Sequence, residues 1–211
     1  MEDYSITMKD KNVLDPVKFD ENFWNEKYLS GDIRWDLGEC SPPIKSYIDQ
    51  LNDKQLSILI PGAGNAYEAK YLVQLGFKAV TVIDIAPALI TTLRAEVGSA
   101  MQIIQDDFFN HQGAYDLVFE QTFFCALHPD LRPAYVRKMF DLLKAGGKLV
   151  GVLFNKDFNQ PYPPFGGNEK EYRSLFSPFF EIKCMEPCYN SHLARKGNEL
   201  FITLIKNQVI K

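Results

Sequence analysis

The stretch that decides the fold runs from Leu56 to Asp84 and holds two apolar segments separated by a glycine turn and a helical segment. The first segment and the turn read Leu56-Ser57-Ile58-Leu59-Ile60-Pro61-Gly62-Ala63-Gly64-Asn65, and the second segment reads Ala79-Val80-Thr81-Val82-Ile83-Asp84. A short run that is apolar on both faces is typical of a central parallel strand. The order of strand, glycine turn, helix and strand predicts the first half of a nucleotide-binding α/β domain.

The turn and the acidic end of the second strand predict a ligand site. Gly62 and Gly64 let the backbone turn sharply and approach a ligand, because they carry no Cβ. Asn65 is predicted to cap the next helix, whose first N–H groups then face the ligand. Asp84 lies 22 residues after Gly62, close to the spacing at which a carboxylate reaches the hydroxyls of a ribose.

The glycine spacing also discriminates between ligands that contain a ribose. A dinucleotide fold has the pattern G-x-G-x-x-G, and here the bulky Tyr67 stands at the third glycine position. This argues against a pyrophosphate cofactor and favours a ligand with a ribose and no phosphates, of which S-adenosylmethionine is the common one. A glycine turn in another kind of α/β protein is the alternative interpretation.

The composition sets the class of protein. A chain of 211 residues with 46% hydrophobic and 24% charged residues is ordinary for one globular domain. We predict a flexible arm at residues 1–17, a lid and helix at 18–51, and a core at 55–211. The net charge of −4 argues against a nucleic-acid surface. We see neither a transmembrane run nor a signal peptide, and the four cysteines are expected to stay reduced, so the expected location is the cytoplasm.

Further elements follow from the apolar patterns. After a short helix at 19–28, helices are predicted at about 42–51, 66–75, 87–97, 130–144 and 169–176. After the two central strands, we predict strands at 101–105, 115–120, 148–154, 179–186 and 200–206. The last two are joined by a loop without a helix, so they are expected to pair antiparallel.

Three groups of side chains are candidates for the ligand site. Trp24, Tyr28 and Trp35 precede the first strand and are interpreted either as a lid over a cationic ligand or as an aromatic cluster at the edge of the domain. Asp107 and Phe108 follow the third strand, where they either bind an adenine or form a plain polar strand end. The segment after the fourth strand, which includes Gln121 and Phe124, is expected to face the reacting group, because open α/β sheets bind ligands at the carboxyl ends of their strands.

Several of these motifs, in this order and spacing, resemble those of the thiopurine methyltransferase family, which includes plant and microbial halide and thiol methyltransferases. The similarity runs from about residue 22 to 176, and the phenylalanine-rich segment is closest to the halide and thiol branch. The matching motifs are Phe23-Trp24 with Tyr28, Trp35-Asp36, Pro61-Gly62-Ala63-Gly64, Asp107-Phe108-Phe109, Phe123-Phe124-Cys125-Ala126-Leu127, Arg132-Pro133-Ala134-Tyr135, Leu142-Leu143-Lys144-Ala145-Gly146-Gly147 and Pro163-Pro164-Phe165.

The resemblance implies a Rossmann-like class I methyltransferase with a mostly parallel seven-stranded sheet, a C-terminal antiparallel hairpin and an N-terminal helical lid. It also implies S-adenosylmethionine as cofactor and a small, soft acceptor. Gln121 stands where family members place an Arg or Tyr near the methyl donor, and Phe165 where a Pro-Pro-aromatic loop borders the acceptor. The pair Glu120-Gln121 departs from the usual Asp-Arg or Asp-Tyr, which counts against a thiopurine acceptor. The implied cofactor contacts are Trp24, Tyr28, Trp35, Gly62, Gly64, Asp84, Asp107, Phe108 and Gln121.

The expected reaction is direct SN2 transfer to a thiol, hydrosulfide or halide, which needs no general base because these nucleophiles are anionic or easily ionised. Gln121, Phe124 and Phe165 are the candidate acceptor-pocket residues. His128, Cys125 and Arg132 are predicted to be structural, and no metal is expected. The expected partner is a small-molecule methyl acceptor, and the enzyme is expected to be a monomer. A thiopurine-type acceptor, a selenium or tellurium acceptor, an oxidoreductase and a non-catalytic binder of S-adenosylmethionine remain as alternatives.

Overall fold

A seven-stranded sheet forms the centre of the fold. The computed structural model describes residues 19–207, so the arm predicted at residues 1–17 lies outside the described residues. The strands are β1 (Ser57–Pro61), β2 (Ala79–Asp84), β3 (Gln102–Gln105), β4 (Tyr115–Gln121), β5 (Leu143–Phe154), β6 (Phe180–Pro187) and β7 (Glu199–Lys206). The helices are α1 (Glu21–Ser30), α2 (Pro42–Ile48), α3 (Tyr67–Gln74), α4 (Pro87–Val97), α5 (Arg132–Leu142) and α6 (Glu169–Phe176).

The sheet has the strand order β3-β2-β1-β4-β5-β7-β6. Strands β1 to β5 run parallel, and β7 is antiparallel to both of its neighbours. The predicted fold class is therefore confirmed, including the terminal antiparallel hairpin. Because parallel strands end at the same edge, the residues that follow β1 to β5 lie along one carboxyl edge of the sheet. The loop between β6 and β7 returns to this edge, since Glu199 of β7 pairs with Phe154 at the end of β5.

The core consists of two apolar layers, one on each face of the sheet. Alternate residues of β1 supply both layers: Ile58 and Ile60 pack with side chains of α2, α3 and α4, and Leu59 packs with side chains of α5 and α6. All three residues are at most 1% exposed. The segment from Leu56 to Asp84 is therefore central because its strands are covered on both faces.

Some boundaries differ from the predictions. Helix α2 ends at Ile48 rather than near Leu51, because the N–H groups of Gln50 and Leu51 bond to carbonyls three residues back, at 3.1 and 3.0 Å. Strand β5 begins at Leu143 rather than at 148, because Leu143 pairs with Tyr115 ahead of an irregular register. The helix that precedes it spans Arg132–Leu142 instead of 130–144, after a short 3₁₀ turn at Pro129–Leu131.

The predicted cap of α3 is wrong. The residue before the helix is Ala66, with a φ of 54°, and no side chain caps its first N–H groups. The Asn65 amide instead donates a hydrogen bond to the Asp36 carboxylate in the segment that follows α1. Asn65 therefore ties the N-terminal segment to the glycine turn.

No helix between residues 19 and 207 is long and apolar enough to cross a membrane. Within the same range, no group of three or more His, Cys, Asp or Glu side chains is arranged to hold a metal ion.

Candidate active site

A cavity of about 1300 Å³ opens at the carboxyl edge of the sheet. Its walls come from α1 and the segment after it, the glycine turn, the ends of β2, β3, β4 and β5, and the loop between β6 and β7. All nine predicted cofactor residues line this cavity: Trp24, Tyr28, Trp35, Gly62, Gly64, Asp84, Asp107, Phe108 and Gln121.

The glycine turn forms the floor of the cavity. Gly62 and Gly64 have φ values of 57° and 51°, in the left-handed region that favours glycine. A Cβ on Gly62 would lie 2.3 Å from Cδ2 of Phe123, so the phenylalanine ring packs directly on the bare backbone. A Cβ on Gly64 would lie 3.5 Å from the Tyr28 hydroxyl, in ordinary contact. The absence of side chains here is thus a steric requirement at Gly62 and a conformational one at both residues.

Asp84 ends β2 beside this turn. Its Oδ1 accepts a hydrogen bond from the Ala86 N–H at 3.0 Å, and its Oδ2 accepts a longer one from the Gly64 N–H at 3.4 Å. Desolvation raises the pKa of this carboxyl to about 6, against the opposing effect of the backbone N–H groups. The carboxylate is held in one orientation and keeps lone pairs free for a ligand.

The aromatic residues of the N-terminal segment form a connected group over the turn. The rings of Trp24 and Trp35 meet edge to face at 5.5 Å, and those of Tyr28 and Trp35 at 5.8 Å. Helix α1 is attached to α4, since the Asn25 side chain accepts a hydrogen bond from the Ala88 N–H at 2.8 Å. Burial, followed by the nearby Asp84 carboxylate, raises the pKa of the Tyr28 hydroxyl.

At the end of β3, Asp107 and Phe108 reach the cavity in different ways. The Asp107 carboxylate accepts a hydrogen bond from the Phe109 N–H at 2.8 Å. Phe108 is 5% exposed and packs edge to face on Phe123 at 5.0 Å, so most of its ring belongs to the core. Only a small part of the Phe108 ring is available to a ligand.

The end of β4 forms a strained turn. Thr122 has a φ of 63°, which is rare for a β-branched residue and costs about 1–3 kcal/mol. The buried Glu120 carboxylate holds the turn, because its Oε1 accepts hydrogen bonds from the N–H groups of Phe123 and Phe124 at 2.9 and 2.8 Å. Burial raises the pKa of Glu120 to about 7. Gln121 lines the cavity, and its Oε1 is buried without a hydrogen-bond partner in the described chain.

Two of the predicted acceptor-pocket residues do not line the cavity. Phe124 is 1% exposed and packs against Tyr135 and Tyr172 in the core, at ring distances of 5.0 and 5.5 Å. Phe165 lies behind the wall, with its ring 5.6 Å from Phe19 and 5.5 Å from His128. The left-handed turn directs Phe123, rather than Phe124, to the cavity.

The residues predicted to be structural make structural contacts. Burial raises the pKa of the Cys125 thiol to about 12, and this thiol donates a hydrogen bond to the Thr122 carbonyl at 3.4 Å. Nδ1 of His128 accepts a hydrogen bond from the Asp130 N–H at 3.3 Å, which caps the 3₁₀ turn. The buried Arg132 guanidinium pairs with Glu171.

Sequence reasoning missed Arg195, which lines the cavity and is 7% exposed. Its guanidinium donates hydrogen bonds to the Thr122 hydroxyl at 3.2 Å and to the Trp35 carbonyl at 2.7 Å. In the sequence it stands in a polar loop that looks solvated. The position of Arg195 could have been predicted from the topology alone, because an antiparallel hairpin after β5 brings its connecting loop to the carboxyl edge of the sheet.

The comparisons with known proteins agree with this geometry. The sequence profile described as thiopurine S-methyltransferase matches residues 19–210. The chain is 29% identical to a probable thiol methyltransferase 2 of Arabidopsis thaliana over 164 residues, which cover 74% of this chain and 71% of that protein. It is 28% identical to a thiopurine S-methyltransferase of Legionella pneumophila, covering 83% of this chain and 91% of the relative.

Solved structures share the fold. A Burkholderia thailandensis 1,6-didemethyltoxoflavin-N1-methyltransferase, crystallised with S-adenosylhomocysteine, superposes with a TM-score of 0.73 at 17% identity, covering 89% of this chain and 87% of that one. A TehB-like S-adenosylmethionine-dependent methyltransferase of Corynebacterium glutamicum superposes with a TM-score of 0.64 at 17% identity, covering 88% and 95%. The protein therefore belongs to the thiopurine S-methyltransferase family, and it is an S-adenosylmethionine-dependent methyltransferase with a Rossmann-like fold.

Proposed function

We propose that this methyltransferase acts on a small, soft nucleophile of the thiol, hydrosulfide or halide class. The observation that carries the proposal is the apolar wall of the cavity beyond Gln121. It is built from side chains that desolvate a weakly hydrated anion at little cost: Phe123, Cys125, Leu127, Phe154 and Phe158. The guanidinium of Arg195, which pairs with Glu199, lies 5.5 Å from the centre of the Phe154 ring at the edge of this wall.

The part of the cavity next to this wall fits S-adenosylmethionine, because Phe123 of the wall packs on Gly62 of the glycine turn. The floor at Gly62 and Gly64 admits a close approach, the Asp84 carboxylate has free lone pairs, and the buried Oε1 of Gln121 has no partner among residues 19–207. We assign the methionine portion to Gly62 and Gly64, and the ribose to Asp84. The other contacts follow the family resemblance: Asp107 and Phe108 at the adenine, and Trp24, Tyr28, Trp35 and Gln121 around the sulfonium.

When bound, S-adenosylmethionine supplies a methyl group on a sulfonium, which a nucleophile can displace without a covalent enzyme intermediate. The protein's part is to align the acceptor and exclude water. Thiols have a pKa near 8.5 and need little help to ionise. Glu120 is an unsuitable base, because its carboxylate already accepts bonds from two backbone N–H groups and the Tyr135 hydroxyl. We assign no general base.

We also propose that the enzyme works as a monomer in the cytoplasm, on a small molecule and without nucleic acid or membrane. The net charge of −4 supports the exclusion of nucleic acid. All four cysteines are free thiols, which fits a reducing compartment: Cys40, Cys125, Cys184 and Cys188.

The test is formation of S-adenosylhomocysteine by purified protein with S-adenosylmethionine and one acceptor at a time. The acceptors are hydrosulfide, thiocyanate, iodide, a small aryl thiol and a thiopurine. We expect turnover with hydrosulfide or the aryl thiol and much slower turnover with the thiopurine. Turnover with the thiopurine alone, or with none of the acceptors while the protein still binds S-adenosylhomocysteine, would overturn the proposed acceptor class.

A variant of the wall sharpens this test. Phe158→Asn places an amide in the apolar wall, where Phe158 packs on Phe154 at a ring distance of 5.0 Å. We expect the KM for the thiol to rise about tenfold, because the amide is partly desolvated without a partner. Tyr189→Asn is the matched control, since Tyr189 is 89% exposed and lies outside the cavity. Equal kinetics for the two variants would contradict the assignment of the wall.

A further inference from the structure

Arg195 stands at the meeting point of three parts of the active site. It ends the short 3₁₀ turn Leu193–Arg195 in the loop between β6 and β7, at the carboxyl edge of the sheet. Its guanidinium reaches Thr122, at the end of β4, and Trp35, in the segment that follows α1. A third partner is Glu199, whose Oε1 lies 3.5 Å from Nη1.

The geometry of this contact is specific to arginine. A guanidinium is planar and carries its donors in a rigid fork, so Nη1 and Nη2 hold their two acceptors at a set separation. One acceptor is the Thr122 hydroxyl on the acceptor side of the cavity, and the other is the Trp35 carbonyl on the lid side. A lysine carries a single ammonium at the end of a flexible stem and does not hold two acceptors in this arrangement.

Thr122 is the residue whose conformation aims the neighbouring side chains. Its left-handed backbone, with a φ of 63°, turns the chain so that both Gln121 and Phe123 line the cavity. Such a conformation persists only where surrounding contacts hold it. The Arg195 hydrogen bond acts on the Thr122 side chain, and the Glu120 carboxylate acts on the N–H groups that follow it.

We propose that Arg195 is a positioning residue for methyl transfer. It holds the strained turn at Thr122, and therefore Gln121 and Phe123, in register with the Trp35 side of the lid. The inference rests on the proposed function and adds a residue to it. The competing hypothesis is that Arg195 only stabilises the fold through its ion pair with Glu199. The kcat and the tryptophan fluorescence of Arg195→Lys distinguish the two hypotheses.

The first test is Arg195→Lys, which keeps a cation near Glu199 but loses the fork. Its matched control is Arg173→Lys, because Arg173 lies outside the cavity and makes the same two kinds of contact. Its guanidinium donates hydrogen bonds to the carboxylate of Glu169, four residues away, at 2.7 Å and to the Met185 carbonyl at 3.0 Å. We expect kcat with the aryl thiol to fall about 10- to 150-fold in Arg195→Lys, the range for a hydrogen bond to a charged group. Arg173→Lys is expected to stay within about twofold of the wild type.

Tryptophan fluorescence gives a readout that a purely structural role would not move. The protein has two tryptophans, Trp24 and Trp35, and both line the cavity on the lid side. We expect the fluorescence change on addition of S-adenosylhomocysteine to be reduced in Arg195→Lys and normal in Arg173→Lys, at similar melting temperatures. Equal kcat and equal fluorescence in the two variants, or a loss of kcat matched only by a loss of thermal stability, would overturn the inference.

A second pair of variants decides the matter if Arg195→Lys does not fold. Thr122→Val keeps the β-branched shape but has no hydroxyl to accept the hydrogen bond, and Thr122→Ser keeps the hydroxyl. We expect kcat to fall about tenfold or more in the valine variant and to be rescued to within about threefold in the serine variant. The same kcat in both variants would contradict the role of the Arg195 hydrogen bond.

These outcomes are distinct from a failure of the proposed function. Wild-type protein that methylates none of the soft acceptors would overturn the acceptor class. The fluorescence comparison of Arg195→Lys with Arg173→Lys needs only S-adenosylhomocysteine and would still report on the contact between Arg195 and the lid.

Discussion

Replacing Asp84 by Asn tests the cofactor site at its most constrained polar group. The amide oxygen can keep the shorter backbone hydrogen bond, which the Ala86 N–H donates to Oδ1 at 3.0 Å, while the amide nitrogen replaces Oδ2, which accepts from the Gly64 N–H at 3.4 Å. The variant therefore removes the negative charge and gives up only the longer of the two backbone hydrogen bonds. In the wild type, this charged acceptor faces the position assigned to the ribose.

The expected loss follows from the strength of one hydrogen bond to a charged group, about 1.5–3 kcal/mol. The Kd for S-adenosylhomocysteine is therefore expected to rise about 10- to 150-fold at pH 7. Isothermal titration calorimetry measures the Kd directly, and the fluorescence of Trp24 and Trp35, which line the cavity, provides an independent signal. Asp141→Asn is a matched control, because Asp141 is exposed on α5 and outside the cavity. An unchanged Kd in Asp84→Asn would mean that the ribose is bound elsewhere.

The pH dependence adds a second criterion. Burial raises the pKa of Asp84 to about 6, so this group is mostly ionised at pH 7 and mostly protonated at pH 5. If the ionised form binds the ribose, the wild-type Kd rises about tenfold as the pH falls from 7 to 5. The Asp84→Asn variant has no such group and is expected to show a flat profile. Parallel profiles for the two proteins would refute the assignment.

Three further outcomes are expected. Gly62→Ala should weaken cofactor binding at least tenfold, because the added Cβ would lie 2.3 Å from Phe123. Gly197 has a similar positive φ of 80°, but a Cβ added there would meet nothing within 4 Å. The Gly197→Ala variant should therefore bind the cofactor normally in the same calorimetric assay. Burial raises the pKa of Glu120 to about 7, so the native state binds more protons than the unfolded state between about pH 4.5 and 7. The contribution of Glu120 to the free energy of unfolding therefore falls as the pH rises through this range. Urea titrations should show that Glu120→Gln flattens the free energy of unfolding against pH in this range. Cys125→Ala should lower kcat by less than about tenfold, because the thiol, with a pKa of about 12, contributes only an apolar contact in the wall and one hydrogen bond to the Thr122 carbonyl; a loss above 100-fold would indicate a nucleophile instead.

The sequence contained enough information to predict the sheet. Strands β1 and β2 are apolar on both faces, and this pattern requires a cover on each side. Helix α6 begins and ends at the predicted residues, Glu169 and Phe176, and its start is fixed by Asn168, whose side chain accepts a hydrogen bond from the Glu171 N–H at 3.0 Å. The late hairpin was predictable because no helix separates its strands.

The site was predictable only where it follows from the sheet. Gly62, Asp84 and Asp107 occupy strand ends, and the topology alone brings strand ends together. The choice between Phe123 and Phe124 was not predictable, because it depends on the left-handed conformation of Thr122, which is unusual for this residue type. Asn65 was misassigned as a cap, because its actual partner, Asp36, lies 29 residues away in the sequence.

Methyl transfer to a soft nucleophile at an apolar wall can be tested with two acceptors that differ in one atom. Thiophenol and phenol have the same ring, but the thiolate is softer and is formed more easily. The measurement is kcat/KM for S-adenosylhomocysteine formation with each, together with identification of the methylated product. We predict methyl phenyl sulfide from thiophenol, with a kcat/KM at least about 100-fold above that for phenol. Equal rates, or a preference for phenol, would contradict the account.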